Sequence, residues 1–384
     1  MNPKDFTDPA GELVEAGRGA SAYRAFVPAP LPPRVEWAGL VTPLAAATLS
    51  LGQLGGTGHT LPNPHLLLRP FLRREAVASS RIEGTQASLT DLVLFEASPQ
   101  ASQVPDVQEV ANYVRALEHG LQRSAELPVS LRLIRELHQV LLTGVRGHER
   151  TPGEFRTDQN RIGSPGSPLS AARFVPPPPD RLLQVLGQLE TYLHAPSDLP
   201  PLVRLAAIHY QFETIHPFLD GNGRVGRLLI TLLLCLDGIL SQPLLYLSAY
   251  FERHRQEYYD TLLDVSRASR WDAWFRFFLR GVEEQSQDAI RSARRLLDLR
   301  QELHGRLHQA KRSALALKLL DDLFDRPATT VPDAARLLDI TPRAAQGNID
   351  KLVQEGILVH RPGTTHPRVY VAVPILRALE ETGA

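Results

Sequence analysis

The chain has one cysteine, one methionine and no net charge: its 384 residues carry 42 Lys and Arg against 42 Asp and Glu. A single cysteine, Cys235, excludes an intrachain disulfide, and without a Cys pair or Cys/His cluster there is no sequence signal for zinc. Cys235 sits in the apolar run 228–236, where a small buried thiol is the expected role. Balanced charge excludes non-specific, phosphate-led attraction to nucleic acid or an anionic bilayer. Long apolar runs are missing too. The longest, LLITLLLCLDGIL, is broken at Asp237 and Gly238 and falls short of the ~20 residues that span a bilayer. The start of the chain, MNPKDFTDPAGELVEAG, has acidic groups and no apolar core of a secretory leader. A cytoplasmic protein with no membrane partner is therefore expected.

Proline, by contrast, is abundant, at 31 residues, and many lie in the first 60 residues and in 152–179. Residues 1–60 lack sustained periodicity and read as an irregular lead-in with one short helix around 43–51. Apolar residues then recur at helical spacing, as in Leu67, Phe71, Leu72, Ala76 and Ile82. Helices are expected over 64–94, 107–123, 130–143 (capped by Ser130), 181–194, 200–214, 224–236, 251–266, 271–291 and 293–309. Segment 144–180 breaks this regime. It is rich in Gly, Ser and Pro, and two short extended pieces, 159–162 and 173–175, flank SPGSPLS like the arms of a hairpin. A long irregular excursion in a helical chain is often functional. Trp271, Trp274, Phe275, Phe277 and Phe278 read as core packing.

Residues 311–384 read as a separate unit. Helices over 314–324, 332–338 and 342–355 are followed by ILVHRPGTTHPRVYVAV, which alternates like two strands around a turn. Thr341 caps the third helix, Pro342 takes its first position and Gly356 ends it. Three helices and a hairpin is the order of a winged helix-turn-helix. This segment carries ten basic and nine acidic residues. Its third helix sets Arg343 and Lys351 against Asp350 and Glu355, and only the wing, with His360, Arg361, His366 and Arg368, is basic. Protein docking or dimerisation is therefore at least as well supported as DNA binding. The expected fold class is mainly α, with a small β-hairpin flap and a C-terminal winged helix.

The densest cluster of reactive residue types is IHPFLDGNGRVGRLLI. Gly221, Asn222 and Gly223 lead into an apolar helix expected to start near Arg224, and a Gly-rich turn into a helix presents backbone N–H groups to an anion. Arg224 and Arg227, three apart, share a helical face. Asp220 beside such a nest is most simply a Mg²⁺ ligand, and His216 ahead of it is placed as a general base. Each element alone is an ordinary turn or packed residue; their joint occurrence within twelve residues points to phosphate chemistry. The spacing is not that of a P-loop.

HPFLDGNGRVGR resembles the signature of Fic-domain proteins, HxFx(D/E)GNGRxxR, at every specified position. SSRIEGT resembles the family's inhibitory motif, (S/T)xxxE(G/N), through Ser79, Glu83 and Gly84, and GEFRTDQNRIG with ARFVPPPPD resembles its flap hairpin. The resemblance implies protein adenylylation, the movement of AMP from ATP to a hydroxyl of a target protein. His216 is then the base and Asp220 the Mg²⁺ ligand. The ATP site comprises Gly221, Asn222, Gly223, Arg224, Val225, Gly226 and Arg227, with Tyr259 of the Tyr258–Tyr259 pair near the adenine. Glu83 would pair with Arg227 and block the productive ATP pose, Ser79 assisting. A target strand would dock along the flap, and the chain would also modify itself. The expected boundaries are 1–106 for an N-terminal helical region with the inhibitory helix, 107–310 for the Fic catalytic domain and 311–384 for the winged helix. Nucleic acid stays open as an unfavoured partner, and so does a homodimer. Two alternatives remain beside the transferase: an ATP-sensing DNA-binding regulator, and a Fic enzyme that removes AMP or moves another phosphate-linked group. An intact His216 favours an enzyme, since a sensor has no need of a base.

Overall fold

Helical spacing in the sequence becomes α-helix along most of the chain, with a few short strands between. The computed structural model describes all residues except 18, 20, 21, 61–64, 102, 103, 125, 148, 164–168, 170, 171, 363–366 and 381–384. In chain order come β1 (Gly11–Ala16), β2 (Tyr23–Pro28), α1 (Val41–Thr60), α2 (His65–Ile82), α3 (Leu89–Ala97), α4 (Val107–Arg123) and α5 (Leu131–Leu141). Then follow α6 (Pro179–His194), α7 (Pro201–Ile215), α8 (Asn222–Leu236), α9 (Ser248–Arg253), α10 (Arg255–Ala268) and α11 (Trp271–Gln309). The last are α12 (Ala314–Asp325), β3 (Ala328–Thr330), α13 (Val331–Leu338), α14 (Pro342–Gln354), β4 (Val359–His360), β5 (Val369–Val371) and α15 (Val373–Glu380). Among the described residues, no helix is long and apolar enough to cross a membrane.

The chain divides into two compact units. One unit comprises Met1–Leu51, Arg115–Ser241 and Leu247–Glu284; the other comprises Gly52–Val114, Gln242–Tyr246 and Gln285–Ala384.

In the first unit α7 packs on α8, with α6 against α7 and α5 against α8. Nearly every side chain of α7 and α8 is buried, as expected of helices whose apolar residues run all round. Phe251, Tyr258, Trp274, Phe275, Phe277 and Phe278 form a buried aromatic cluster beside them, and the Trp274 indole N–H donates to the Ala206 carbonyl at 2.9 Å. The aromatic residues of α11 are thus core, as their spacing suggests. Burial raises the Cys235 thiol to about 11, which leaves it inert at neutral pH.

The N-terminal lead-in is not irregular. β1 and β2 pair antiparallel with Leu13 opposite Phe26, and the Phe26 N–H donates to the Val175 carbonyl at 2.9 Å. The alternation in GELVEA and YRAFVP is short, and β2 gains its burial from a segment about 150 residues away, so local pattern carries little signal. α1 is also longer than expected. The flap's arms meet in one bridge, Ile162 with Phe174, held by reciprocal bonds of 2.9 and 3.1 Å. The SPGSPLS tip lies mostly outside the described residues.

In the second unit α12 packs on α2, and α3 packs on β3, β5 and α15. The sheet order is β3-β5-β4, antiparallel throughout. Thr341 caps α14 through its hydroxyl, which accepts from the Ala344 N–H at 3.3 Å, and Gly356 leaves that helix at φ 67°. The wing's turn, with His366, lies outside the described residues. The expected break near residue 292 does not occur, and α11 is continuous for 39 residues. Ser292 is buried there, and its hydroxyl accepts from Arg74 at 3.1 Å and Arg295 at 2.7 Å. The polar residues of that stretch therefore serve helix packing and do not end the helix.

α2 is tied down by its arginines. Arg73, 4% exposed, donates to Glu96 at 2.7 Å and to the Asp325 carbonyl at 2.5 Å, and Arg74 pairs with Asp288 at 3.0 Å. The Tyr113 hydroxyl donates to Glu75 at 3.0 Å. Arg73→Ala leaves a carboxylate and a carbonyl short of a donor, so a loss of about 2–4 kcal/mol is expected in urea unfolding. An unchanged midpoint would show that the Arg73 contacts contribute no net stability.

Candidate active site

α7 ends at Ile215 and α8 starts at Asn222, and the loop between them bears the reactive residues. The helix starts two residues earlier than Arg224. His216 follows α7 in the left-handed region at φ 51° and ψ 60°, a conformation that costs an L-residue about 1–2 kcal/mol. Gly221, at φ 75°, adopts the same region before α8 at little cost.

Hydrogen bonds to the loop backbone hold this shape. Arg156 donates from Nε to the His216 carbonyl at 2.9 Å and from its main-chain N–H to Pro217 at 2.9 Å. Asn160 donates to the carbonyls of His216 at 3.2 Å and Phe218 at 2.8 Å. Asn222 accepts from the Phe218 N–H and donates back to its carbonyl, both at 2.8 Å. His138 on α5 supports the loop from beneath. Its ring stacks on Phe218 with centroids 3.7 Å apart and planes 7° apart. Its Nε2 bonds the Asp220 carbonyl at 3.0 Å, and its Nδ1 bonds the Gly153 N–H at 2.9 Å. A carbonyl only accepts and an N–H only donates, so the imidazole is neutral with its proton on Nε2. Phe218 is fully buried, as its apolar position in the motif suggests.

The same reasoning fixes His216. Its Nδ1 lies 3.2 Å from the Glu213 carbonyl, which only accepts, so Nδ1 carries a proton. Asp220 Oδ1 accepts from the Gly221 N–H at 2.6 Å and lies 3.6 Å from Arg224. Its side chain is 42% exposed, and a Cβ on Gly147 would come within 3.0 Å of its other oxygen. Arg224 and Arg227 are each 2% exposed. Gly221 has no side chain to cap α8, so the first N–H groups of that helix can serve an anion. The Asn222 carboxamide is committed to Phe218, which leaves only its backbone N–H for such an anion. Val225 is fully buried. A Cβ on Gly226 would sit 2.2 Å from Glu213 Oε1, so close packing of α7 and α8 requires glycine there. The Gly226 carbonyl accepts from His209 Nδ1 at 3.2 Å, and His209 Nε2 accepts from the Tyr258 hydroxyl at 2.8 Å. Tyr258 is therefore core, whereas Tyr259 is partly exposed, with the Arg255 guanidinium 5.8 Å from its ring centre. Among the described residues no three His, Cys, Asp or Glu side chains form a metal cluster.

Ser79 and Glu83 belong to the second unit. Ser79 is fully buried on α2, and Glu83 is exposed in the turn that Gly84 closes at φ 98°. Sequence reasoning gave no role to His138, Arg156 or Asn160. Arg156 and Asn160 fall inside GEFRTDQNRIG, so their segment was marked. His138 has only the weak signal of a histidine on an apolar helical face.

Burial lowers His138 to about 4 and His209 to about 3, with Arg224 and Arg227 adding to the respective shifts. Both folded values lie below the ordinary 6.5, so between them the unfolded chain binds more protons. Stability is full above pH 6.5 and falls as pH drops through that value, by about 2 kcal/mol per imidazole at pH 5. Urea unfolding of His138→Gln should lose less stability between pH 7 and pH 5 than the parent does. Equal losses would remove His138 from the account.

Residues 41–122 match the Fic/DOC family N-terminal region and residues 128–234 match the Fic/DOC family. A probable protein adenylyltransferase of Aquifex aeolicus is 27% identical over 209 residues, covering 53% of this chain and 62% of that protein. The protein adenylyltransferase Fic of Drosophila virilis is 37% identical over 115 residues, covering 29% of this chain and 21% of that protein. The chain thus spans less than two thirds of these relatives. Among solved structures, a Fic family protein from Desulfovibrio desulfuricans superposes with a TM-score of 0.55 at 20% identity, over 89% of this chain and 98% of that one. Fic-1 from C. elegans gives 0.51 at 22% identity, over 66% and 74%. With the loop geometry and these matches together, residues 128–234 are similar to the Fic/DOC family, and residues 41–122 before them to that family's N-terminal region.

Proposed function

We propose that the chain is a protein adenylyltransferase that moves AMP from ATP to a hydroxyl side chain of a target protein and is held in check by Glu83. The observation that carries this reading is the pairing of a histidine whose Nδ1–H is held by a backbone carbonyl with an uncapped helix start bearing two buried arginines. The adenylyltransferase names of the relatives support the choice of AMP as the group moved.

His216 Nε2 takes the proton of the target hydroxyl, while its Nδ1–H bond to the Glu213 carbonyl steadies the imidazolium. The hydroxyl oxygen attacks the α-phosphorus, the bond to the bridging oxygen breaks, and pyrophosphate leaves. Backbone N–H groups of Asn222, Gly223 and Arg224 and the guanidiniums of Arg224 and Arg227 hold the phosphates, with Gly221 shaping the turn. Tyr259 serves the adenine. One exposed carboxylate, Asp220, suits Mg²⁺, which keeps several waters and takes its other ligands from substrate phosphates. When bound, the ion neutralises phosphate charge.

A target strand docks along the flap, and the chain itself is a second acceptor. Glu83 pairs with Arg227 and competes with the terminal phosphate, with Ser79 alongside. The catalytic domain is 107–310 and the N-terminal helical region is 1–106. The element order from α12 to β5 supports reading 311–384 as a winged helix. Its even charge favours a protein partner or a second copy over nucleic acid. The absence of a membrane-crossing helix among the described residues is in keeping with a cytoplasmic setting.

In assays with α-phosphate-labelled ATP, Glu83→Gly should raise self-labelling at least tenfold. No increase over the parent would remove the brake. His216→Ala should lower transfer by about 10²–10⁴-fold while ATP affinity stays within a few-fold. Full transfer in that variant would exclude His216 as the base.

A further inference from the structure

Arg156 is 3% exposed, and no carboxylate pairs with it among the described residues. A buried cation without a counter-ion is costly unless every donor is used. Here the partners are all backbone carbonyls. Nε–H goes to His216 at 2.9 Å, Nη2–H to Pro177 at 2.6 Å and to Ile215 at 3.4 Å, and Nη1–H to Asp158 at 3.3 Å. These carbonyls belong to two segments far apart in sequence. Ile215 and His216 carry the base, and Pro177 lies where the flap leaves for α6. The neighbouring Gln159 repeats the link on the flap side. Its amide donates to the Pro176 carbonyl at 3.0 Å, and its oxygen accepts from the Tyr23 hydroxyl at 3.0 Å.

The His216 carbonyl is the hinge of this arrangement. The residue is left-handed, and its carbonyl direction fixes ψ, so holding that carbonyl holds the unfavourable conformation in which the imidazole is presented. Arg156 and Asn160 both restrain that carbonyl. Asn160 reaches only the loop, whereas Arg156 reaches the loop and the flap exit.

We propose that Arg156 is a positioning residue that orients His216 and locks it to the flap exit, so that one guanidinium sets both the base and the strip on which a target docks. This rests on reading His216 as the base.

The test uses the full chain. Lysine keeps the charge but cannot fork between two segments, and Arg156→Gln provides an uncharged second variant. In the Glu83→Gly background, Arg156→Lys should lower kcat 10–100-fold with KM for ATP within twofold. In a His216→Ala background it should not lower the residual rate further, because Arg156 acts through His216. An unchanged kcat, or an equal loss in both backgrounds, would overturn the proposal. Hydrogen exchange gives an outcome that needs no transfer activity. In Arg156→Lys or Arg156→Gln, exchange should quicken at least tenfold in both 215–221 and 159–175, while 224–236 stays protected. Loosening confined to one of the two segments, or spread over the whole chain, would also overturn it. If the exchange result holds and no AMP is transferred by any variant, the linkage stands and the transferase reading falls.

Discussion

The left-handed backbone of His216 is the constraint on which the site depends. A helix that ended in the usual way would send the chain elsewhere, and the histidine would not stand ahead of α8. The conformation is unfavourable for a side chain with a Cβ, so the surroundings must impose it. They do so with donors from three sources: Arg156 and Asn160 from the strip before the flap, Asn222 from the first turn of α8, and His138 from α5. Strain of this kind is held where the packing over-determines it.

Electrostatics follows from the same arrangement. Two motif arginines and Arg156 are buried close to one short loop, and the two nearby buried imidazoles are kept neutral by burial. A region with buried guanidiniums and an uncapped helix start suits a polyphosphate, and one partly exposed aspartate suits its counter-ion. Asn222 lies in the signature, but its carboxamide shapes the loop through the Phe218 backbone, which leaves only its own backbone N–H for an anion.

Much of this was legible in the sequence and some was not, for definable reasons. Helices with their own periodicity and caps, such as α5 after Ser130 and α14 after Thr341, follow from local rules. The motif was legible because its residue types are rare at that spacing. The β1–β2 hairpin was missed because its burial comes from Val175, distant in the chain. The continuity of α11 was missed because its polar stretch looked like a break, when those residues meet the arginines of α2. Arg156 and His138 escaped because their partners are backbone carbonyls and a ring face, which leave no complementary residue type to notice. The association of α2 and α3 with the C-terminal elements was likewise invisible, since it joins segments separated by more than 200 residues.

The central claim is that this loop delivers the α-phosphate of ATP, with its nucleoside, to a hydroxyl. Intact-mass spectrometry of the purified chain after incubation with ATP and Mg²⁺ tests it most directly. The account predicts a mass increase of one AMP group per modified site, absent when His216 is replaced. A gain of phosphate alone, or an AMP gain that persists without His216, would contradict it.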